Sequence, residues 1–381
     1  MFKSRLASNS YEINKAIELA TEIFRTKGEK LTDELIEIQK KITNPFGLLS
    51  QNDVVVLMSP TEEVCGTIFL VDRLLFNPSI ELKATYLSSI CVSEKHRGIG
   101  LSKLLIDAAI SEIKKRGSAI AILIARRAVD HFYNKFNFWG TSQYNKIKIK
   151  REQIINNSFE IKAVEQDDLS VINDIYTYRY QFNYGASKRD IEFWKYIIWK
   201  SRFENNEFKS INIDGILVGY VIYSENNVYE IALNSNICML DAVNLIFSKA
   251  TYEDIIIHTS EKNISLINLS EKDYIFEARD CMFGGHMLRI IDPLKITILL
   301  NKKIEKIIAK YGMHNLNYNY LSESKNFHLN INKGLISINI HGNEFSYEES
   351  IALLGIKTAY NSSKFPFCFY DSFNIPLYDQ I

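Results

Sequence analysis

Short apolar runs bounded by turn residues alternate along this chain with stretches in which apolar residues return every three or four positions. This is the pattern of strands interleaved with helices. Asp53 to Leu57 and Val64 to Val71 read as neighbouring antiparallel strands, and Tyr86 to Val92 as another. Ahead of them Asn9 can cap a helix, with Glu12 three residues on and Ile13, Ala16, Ile17, Ala20 and Phe24 along one face. Beyond Gly100 the positions Leu101, Leu104, Leu105, Ala108, Ala109 and Ile113 keep helical spacing, and Lys114-Lys115-Arg116-Gly117 supplies a basic last turn and a glycine stop. Ala119 to Ala125 is a continuous apolar run, as suits a strand buried on both faces of a parallel βαβ unit. Tyr144 to Lys150 alternates apolar and charged residues, which predicts a closing strand with one buried face and a first domain over residues 1–150.

The rhythm then restarts. Phe159 to Val164 predicts a strand, Asp167 to Ser170 a helix start with Val171, Ile172 and Ile175 inward, and Asp214 to Tyr223 a turn and strand of the same kind as Glu63 to Val71. Tyr229 to Leu233 predicts a further strand, followed by a helix over Asp241 to Lys249. A second, degenerate copy of the first domain over 151–290 is the expectation, with a third unit over 291–381. In that tail Leu294 to Tyr311 reads as a helix and Asn326 to Asn332 and Gly334 to His341 as strands turning at Lys333-Gly334. Ser346-Tyr347-Glu348-Glu349 caps a last helix ending at Gly355.

The length of 381 residues is more than twice what one such domain needs, and 46% hydrophobic with 24% charged residues is ordinary globular composition. Lys plus Arg and Asp plus Glu both number 45, and this balance argues against a nucleic-acid partner. The first residues carry charge without an apolar stretch behind them, and no run approaches the roughly 20 apolar residues of a membrane helix, so a cytoplasmic location is expected. Five scattered cysteines without a C-x-x-C pair fit reduced thiols and no metal site. Cys91 reads as a small buried hydrophobe, since no base for a nucleophile is identifiable.

The chemistry concentrates after the strand ending at Val92. Arg97-Gly98-Ile99-Gly100-Leu101-Ser102 opens the helix at Leu101, and backbone N–H groups converging on a helix N-terminus favour an anion such as a pyrophosphate. The loop lacks the Lys-Ser/Thr ending of a P-loop, and its spacing does not fit G-x-G-x-x-G. Downstream, Val129 to Phe138 holds the aromatic row Phe132, Tyr133, Phe136 and Phe138. Arg97-x-x-Gly100-x-Ser102 resembles the Arg/Gln-x-x-Gly-x-Gly/Ala signature of the GNAT acetyltransferases, with serine as a departure at the last position. The segment around Tyr133 resembles their Phe-Tyr-x-x-Phe-Gly-Phe stretch, with Asn137 where the glycine usually stands.

The resemblance implies an acetyl-CoA-dependent N-acetyltransferase. Ile90, Cys91, Val92, Arg97, Gly98, Ile99, Gly100, Leu101, Ser102 and Asn134 would hold acetyl-CoA, and Tyr133 would be the general acid that protonates the departing sulfur. A phenol near pKa 10 and an alkyl thiol near about 8.5 are close enough for that exchange. The plain alternative is that Tyr133 is one aromatic of the core row. Gly185-x-x-x-Arg189-x-x-x-x-Trp194 and Met287 to Asp292 are similar to stretches of the enhanced intracellular survival (Eis) type. That likeness implies an α/β (α+β) protein of tandem GNAT folds, mixed sheets flanked by helices, with a C-terminal sterol-carrier-like α+β domain. It also implies that the carboxylate of Ile381 helps to deprotonate the acceptor, that the acceptor is an amine of a polycationic small molecule or a lysine side chain, and that the chain forms a homo-oligomer. Two other readings stay open: a non-catalytic acyl-CoA- or lipid-binding sensor, and an acetyltransferase of peptides or cell-wall precursors.

Overall fold

The computed structural model describes residues 1–45, 47, 49–76, 82–126, 129–140, 142–150, 159–181, 185–234, 239–247, 252–259, 274–281, 285–292, 294–296, 315–322, 325–332 and 335–341. One succession of elements occurs twice. In the first half β1 (Lys3–Leu6) leads into α1 (Ser10–Phe24) and α2 (Asp33–Thr43), followed by β2 (Val54–Met58), β3 (Val64–Leu75), β4 (Leu82–Val92), α3 (Leu101–Lys115) and β5 (Ile120–Ala125). The short α4 (Asp130–Asn134), β6 (Trp139–Gly140) and β7 (Ser142–Lys150) complete this half. In the second, β8 (Phe159–Ala163) leads into α5 (Asp168–Tyr180) and α6 (Ile191–Phe203), then β9 (Glu207–Ile213), β10 (Ile216–Ser224), β11 (Asn227–Leu233), α7 (Met239–Ile246), β12 (Asp254–Thr259), β13 (Tyr274–Cys281) and β14 (Gly285–Ile290). A third sheet of β15 (Asn315–Ser322), β16 (Lys325–Asn332) and β17 (Leu335–His341) is antiparallel.

Sheet order makes the repeat explicit. The first sheet runs β1-β2-β3-β4-β5-β14-β6 and the second, read from the other edge, β8-β9-β10-β11-β12-β7-β13. In each, one parallel pair, β4 with β5 and β11 with β12, brackets a helix, while the flanking pairs are antiparallel. The strand next to the parallel pair is exchanged: β7 pairs with β12 and β13 in the second sheet, and β14 sits between β5 and β6 in the first. The Tyr144 to Lys150 stretch is thus a strand, as its alternation predicts, but it does not close the first sheet. Alternation says that one face is buried without saying against which core, and Ile147 and Ile149, 2% and 1% exposed, pack with Val221, Val243 and Phe247 of the second half.

The first sheet is covered on both faces, which explains its unbroken apolar strands. Val54 and Val56 of β2 join Ile13, Ala16, Ile17 and Ala20 of α1, whereas Val55 and Leu57 join Leu105, Ile106, Ala109 and Ile113 of α3. Helix α1 begins as its sequence requires, with the Asn9 side chain accepting from the Glu12 amide at 2.9 Å. Three expected core positions differ: Phe24 and Leu104 are each 40% exposed and Val171 of α5 43%, and Ile106 and Ile110 are buried in α3 instead. The buried stripe of α3 is rotated from Leu104 toward Ile106 and Ile110.

The halves are joined through the end of β3. Phe76 N donates to Ala186 O and Lys188 N to Leu74 O, both at 2.7 Å, and Arg73 Nη1 reaches Ser187 Oγ at 3.2 Å. The Gly185 to Trp194 stretch is the anchor on the other side. Arg189 pairs with Glu230 with both side chains buried, its guanidinium lies 4.0 Å from the centre of the Tyr176 ring and 4.7 Å from that of Trp194, and Tyr220 donates to Glu230 at 2.6 Å. Tail strands expected over 326–332 and 334–341 are present as β16 and β17. The Lys333-Gly334 turn, the helix predictions at 294–311 and 346–355 beyond Ile296, and the terminus at Ile381 lie outside the described residues.

Candidate active site

The two parallel strands of the first sheet part company in the middle. Pairing of β4 with β5 runs from Ala84 with Ile120 to Leu87 with Leu123 and then ends, yet β4 continues to Val92, held on its other side by β3 through Cys91 with Thr67 and Val92 with Gly66. Among the described residues no strand pairs with β4 on this side from Ser88 to Val92, which leaves an edge suited to an extended guest. The register against β3 shifts between Thr67 and Phe69, opposite Ser88 and Cys91, and Ser89 adopts φ +49° at this irregularity. Helix α2 braces it, with Gln39 Nε2 donating to Ser89 Oγ at 2.8 Å. Gly66 lies beneath: a Cβ there would stand 3.0 Å from the Cys91 carbonyl oxygen, so only glycine lets β3 approach this part of β4.

At the end of that edge a short turn, Glu94 to His96, leads into the glycine loop. Gly98 and Gly100 have φ +86° and +82°, a backbone conformation that costs other L-residues energy. Gly100 caps α3 in that conformation, so the first amides of the helix face outward from it. Among the described residues the amides of Gly98, Ile99 and Gly100 donate to no backbone carbonyl, and all three residues are exposed. Leu101 and Ser102 are half-buried in the first turn. The Arg97 side chain folds back, Nε donating to Val92 O at 3.1 Å, and so ties the loop to the strand end.

Tyr133 lies on α4, 9% exposed, in the cluster that holds Phe136, Phe138 and Leu105. Burial, and to a lesser degree Cys91, pushes its phenol up to about 12, and burial pushes the Cys91 thiol up to about 12 as well. The phenol is therefore a proton donor through the physiological range. Among the described residues the buried Oδ1 of its neighbour Asn134 has no hydrogen-bond partner, which suits an acceptor for a ligand amide or hydroxyl. Asn137 adopts φ +59°, which asparagine tolerates in place of glycine. Ile90 and Val92 are half-buried and pack against the Tyr133 cluster, whereas Cys91 points to the α1 side. The end of β4, the turn and the glycine loop thus follow one another into α3, with Ile90 and Val92 on the face of the Tyr133 cluster and Cys91 on the other.

Two contributors escaped sequence reading. Gln39 belongs to α2, which buries Gln39 and Thr43 and carries Leu35, Ile38 and Ile42 at i, i+3 and i+7 behind the capping signal of Thr32 with Asp33 and Glu34, a pattern the sequence shows although no helix was expected there. Arg289 of β14 donates from Nη1 to Phe136 O at 2.8 Å. On the opposite side of the first sheet a cleft of about 700 Å³ opens between α1, α2 and α6. Glu37, Lys40, Lys41, Glu192 and Lys195 supply its charges. Among the described residues no three of His, Cys, Asp or Glu gather as a metal cluster, and no helix is long and apolar enough to cross a membrane.

Comparison with known proteins agrees with this geometry. Residues 5–141 match the family described as Acetyltransferase (GNAT) domain. A GCN5-related N-acetyltransferase from Kribbella flavida is similar in structure at 13% identity, with TM-score 0.64 over 99% of this chain and 98% of that one. Another from Anabaena variabilis shares 14% identity, TM-score 0.64, over 90% and 86%. Eis1 from Mycobacterium abscessus shares 14% identity, TM-score 0.62, over 93% and 90%. At these identities the solved structures speak for the fold. Among curated proteins no sequence matches. The first half is an acetyltransferase domain of GNAT type, the second repeats its fold, and the protein is an acyltransferase whose fold implies acetyl-CoA.

Proposed function

From the acetyltransferase domain at residues 5–141, we propose that the protein moves an acetyl group from acetyl-CoA to an amine by direct attack, with Tyr133 as general acid. The observation that carries this reading is the pairing of Tyr133 with an open β4 edge: a buried phenol kept protonated up to about 12 stands beside the strand that parts from β5. Burial that keeps the phenol protonated would also disfavour a thiolate leaving beside it, so the developing sulfur anion would draw the proton from Tyr133.

In this reading Ser88 to Val92 pair with the amides of the pantetheine arm, Gly98 to Ser102 present N–H groups to the pyrophosphate, and Asn134 Oδ1 accepts from the bound molecule. A backbone N–H between Ile90 and Val92 steadies the oxyanion as the amine nitrogen bonds to the thioester carbon. The carbon–sulfur bond then breaks, Tyr133 gives its proton to sulfur, and the proton lost by the amine restores the phenol by way of solvent. The carboxylate of Ile381 is proposed as the group that helps to take that amine proton. The unit over 151–290 forms a wall of the acceptor site without a glycine cradle, and residues 291–381 form the sterol-carrier-like unit. A cytoplasmic homo-oligomer completes the proposal.

Two acceptor classes were expected, polycations and lysine side chains. The cleft between α1, α2 and α6 opens on the other face of the first sheet from Tyr133, and its described lining of three lysines against two glutamates offers no surplus of carboxylates to either cationic class, so the choice between them rests with the test. The test is thiol release from acetyl-CoA with a panel of lysine peptides, polyamines and aminoglycosides, for the native protein and Tyr133→Phe. Turnover with one of these acceptors that falls steeply in the variant is the expected result. Binding of acetyl-CoA without turnover on any acceptor would replace this reading by that of a sensor.

A further inference from the structure

Tyr133 stands on a helix that cannot hold itself. Helix α4 has five residues, well short of the length at which a helix is stable alone, and its N-cap residue Val129 makes no side-chain cap. Its direction is set from the other end. The amides of Phe136 and Phe138 both donate to Tyr133 O, at 2.9 and 3.2 Å, which folds the chain back through the left-handed Asn137 into β6. That returning turn is gripped by a strand that comes from the far half of the sequence. Met287 and Leu288 of β14 pair with Gly140 and Trp139, Met287 packs in the Tyr133 cluster, and Arg289 donates to Phe136 O at 2.8 Å.

We infer that Arg289 is a positioning residue for acetyl transfer, contributed to the first domain by the exchanged strand, and that it fixes the α4 turn so that the Tyr133 hydroxyl meets the departing sulfur. The inference rests on the proposed function for its catalytic meaning. A guanidinium is suited to this place because its planar donors approach a carbonyl along a fixed direction, whereas an ammonium on a flexible stem does not. The second half of the chain, whose sequence holds no glycine between β11 and α7, thereby supplies a part of the working site.

The test uses the full chain with Arg289→Met and Arg289→Lys, each also combined with Tyr133→Phe. For Arg289→Met, kcat is expected to fall on the order of 10²-fold, the effect of a small displacement of a catalytic group, while the dissociation constant of acetyl-CoA measured by calorimetry stays put. Arg289→Lys should recover part of the loss. In the Tyr133→Phe background Arg289→Met should cost nothing further, because the two residues act as one unit. A readout apart from turnover is the fluorine signal of Tyr133 in fluorotyrosine-labelled protein, identified by its loss in Tyr133→Phe. Loosening of α4 should let water reach the hydroxyl and lower the pH at which this signal titrates. Cys91 of β4, on the α1 side of the sheet, is the titratable group whose charge acts on the phenol, and it is unchanged in all variants.

Native kcat and a native Tyr133 signal in Arg289→Met would overturn the inference. So would losses from Arg289→Met and Tyr133→Phe that add, or a parallel loss of kcat and coenzyme affinity. If the native protein turns over no acceptor, the acetyl-transfer reading fails, and the Tyr133 signal alone then decides whether Arg289 holds the turn.

Discussion

Arg189 and Glu230 meet in a two-pronged ion pair, 2.6 and 2.8 Å, with side chains 0% and 1% exposed. A sealed pair of this kind is satisfied only as a unit. Tyr220 completes it from β10, and Tyr176 and Trp194 cover the guanidinium with their ring faces.

Removing one member leaves the other charged, buried and alone. Arg189→Met or Glu230→Gln should lower stability by about 3–5 kcal/mol, and the double variant Arg189→Met with Glu230→Leu should lose less than either single change. Urea unfolding of the three proteins checks this. Equal or additive losses would deny the coupling.

Tyr133→Phe should reduce acetyl transfer by about 10²–10⁴-fold with the affinity for acetyl-CoA unchanged. Because burial holds the native phenol up to about 12, no basic limb from this residue should appear in kcat below pH 10, and a limb in that range would mean that the phenol is wetter than its surroundings imply.

Gly100→Ala forces a side chain onto φ +82° where α3 begins. The expected cost is about 1 kcal/mol in stability, and acetyl-CoA should bind more weakly as the loop amides turn away. Calorimetric titration against native protein gives the answer, and unaltered affinity would remove Gly98 to Ser102 from the coenzyme site.

His286 is wholly buried, and burial first, with Lys200 and Arg73 after it, holds its imidazole down to about 3. A folded-state value below the unfolded 6.5 means that the unfolded chain takes up the proton first as pH falls. The stability that His286 contributes is therefore complete above about 6.5 and drains away toward 3. His286→Asn should flatten the decline in melting temperature between pH 7 and 5, and an unchanged decline would assign it elsewhere, His258 being a half-buried imidazole held down to about 4.

The parts of the fold legible in the sequence are those in which a local pattern has a single physical meaning. The Asn9 cap, the glycine pair before α3 and the all-apolar β5 are of this kind, and so is the glycine loop placed at the end of β4. The alternation of Lys146 to Lys150 was equally clear about a buried face and silent about its partner, which is decided by a strand more than a hundred residues away. Helix α2 was legible from Leu35, Ile38 and Ile42 behind the Thr32 cap, but its polar Gln39 gives no sign in the sequence that it braces Ser89. Arg289 escaped because one hydrogen bond to a distant carbonyl leaves no periodic trace.

The exchange of β7 and β14 has a consequence for synthesis. A ribosome that has made the first 150 residues has made an incomplete sheet, with β5 and β6 separated by the space that residues 285–290 will later fill. Until then β5 offers an unpaired, apolar edge to any passing strand, including the same strand of a neighbouring nascent chain. The domain that carries the glycine loop therefore closes only once the second half has been made, although it is translated before it, and a message truncated ahead of β14 would yield aggregates in place of a smaller enzyme.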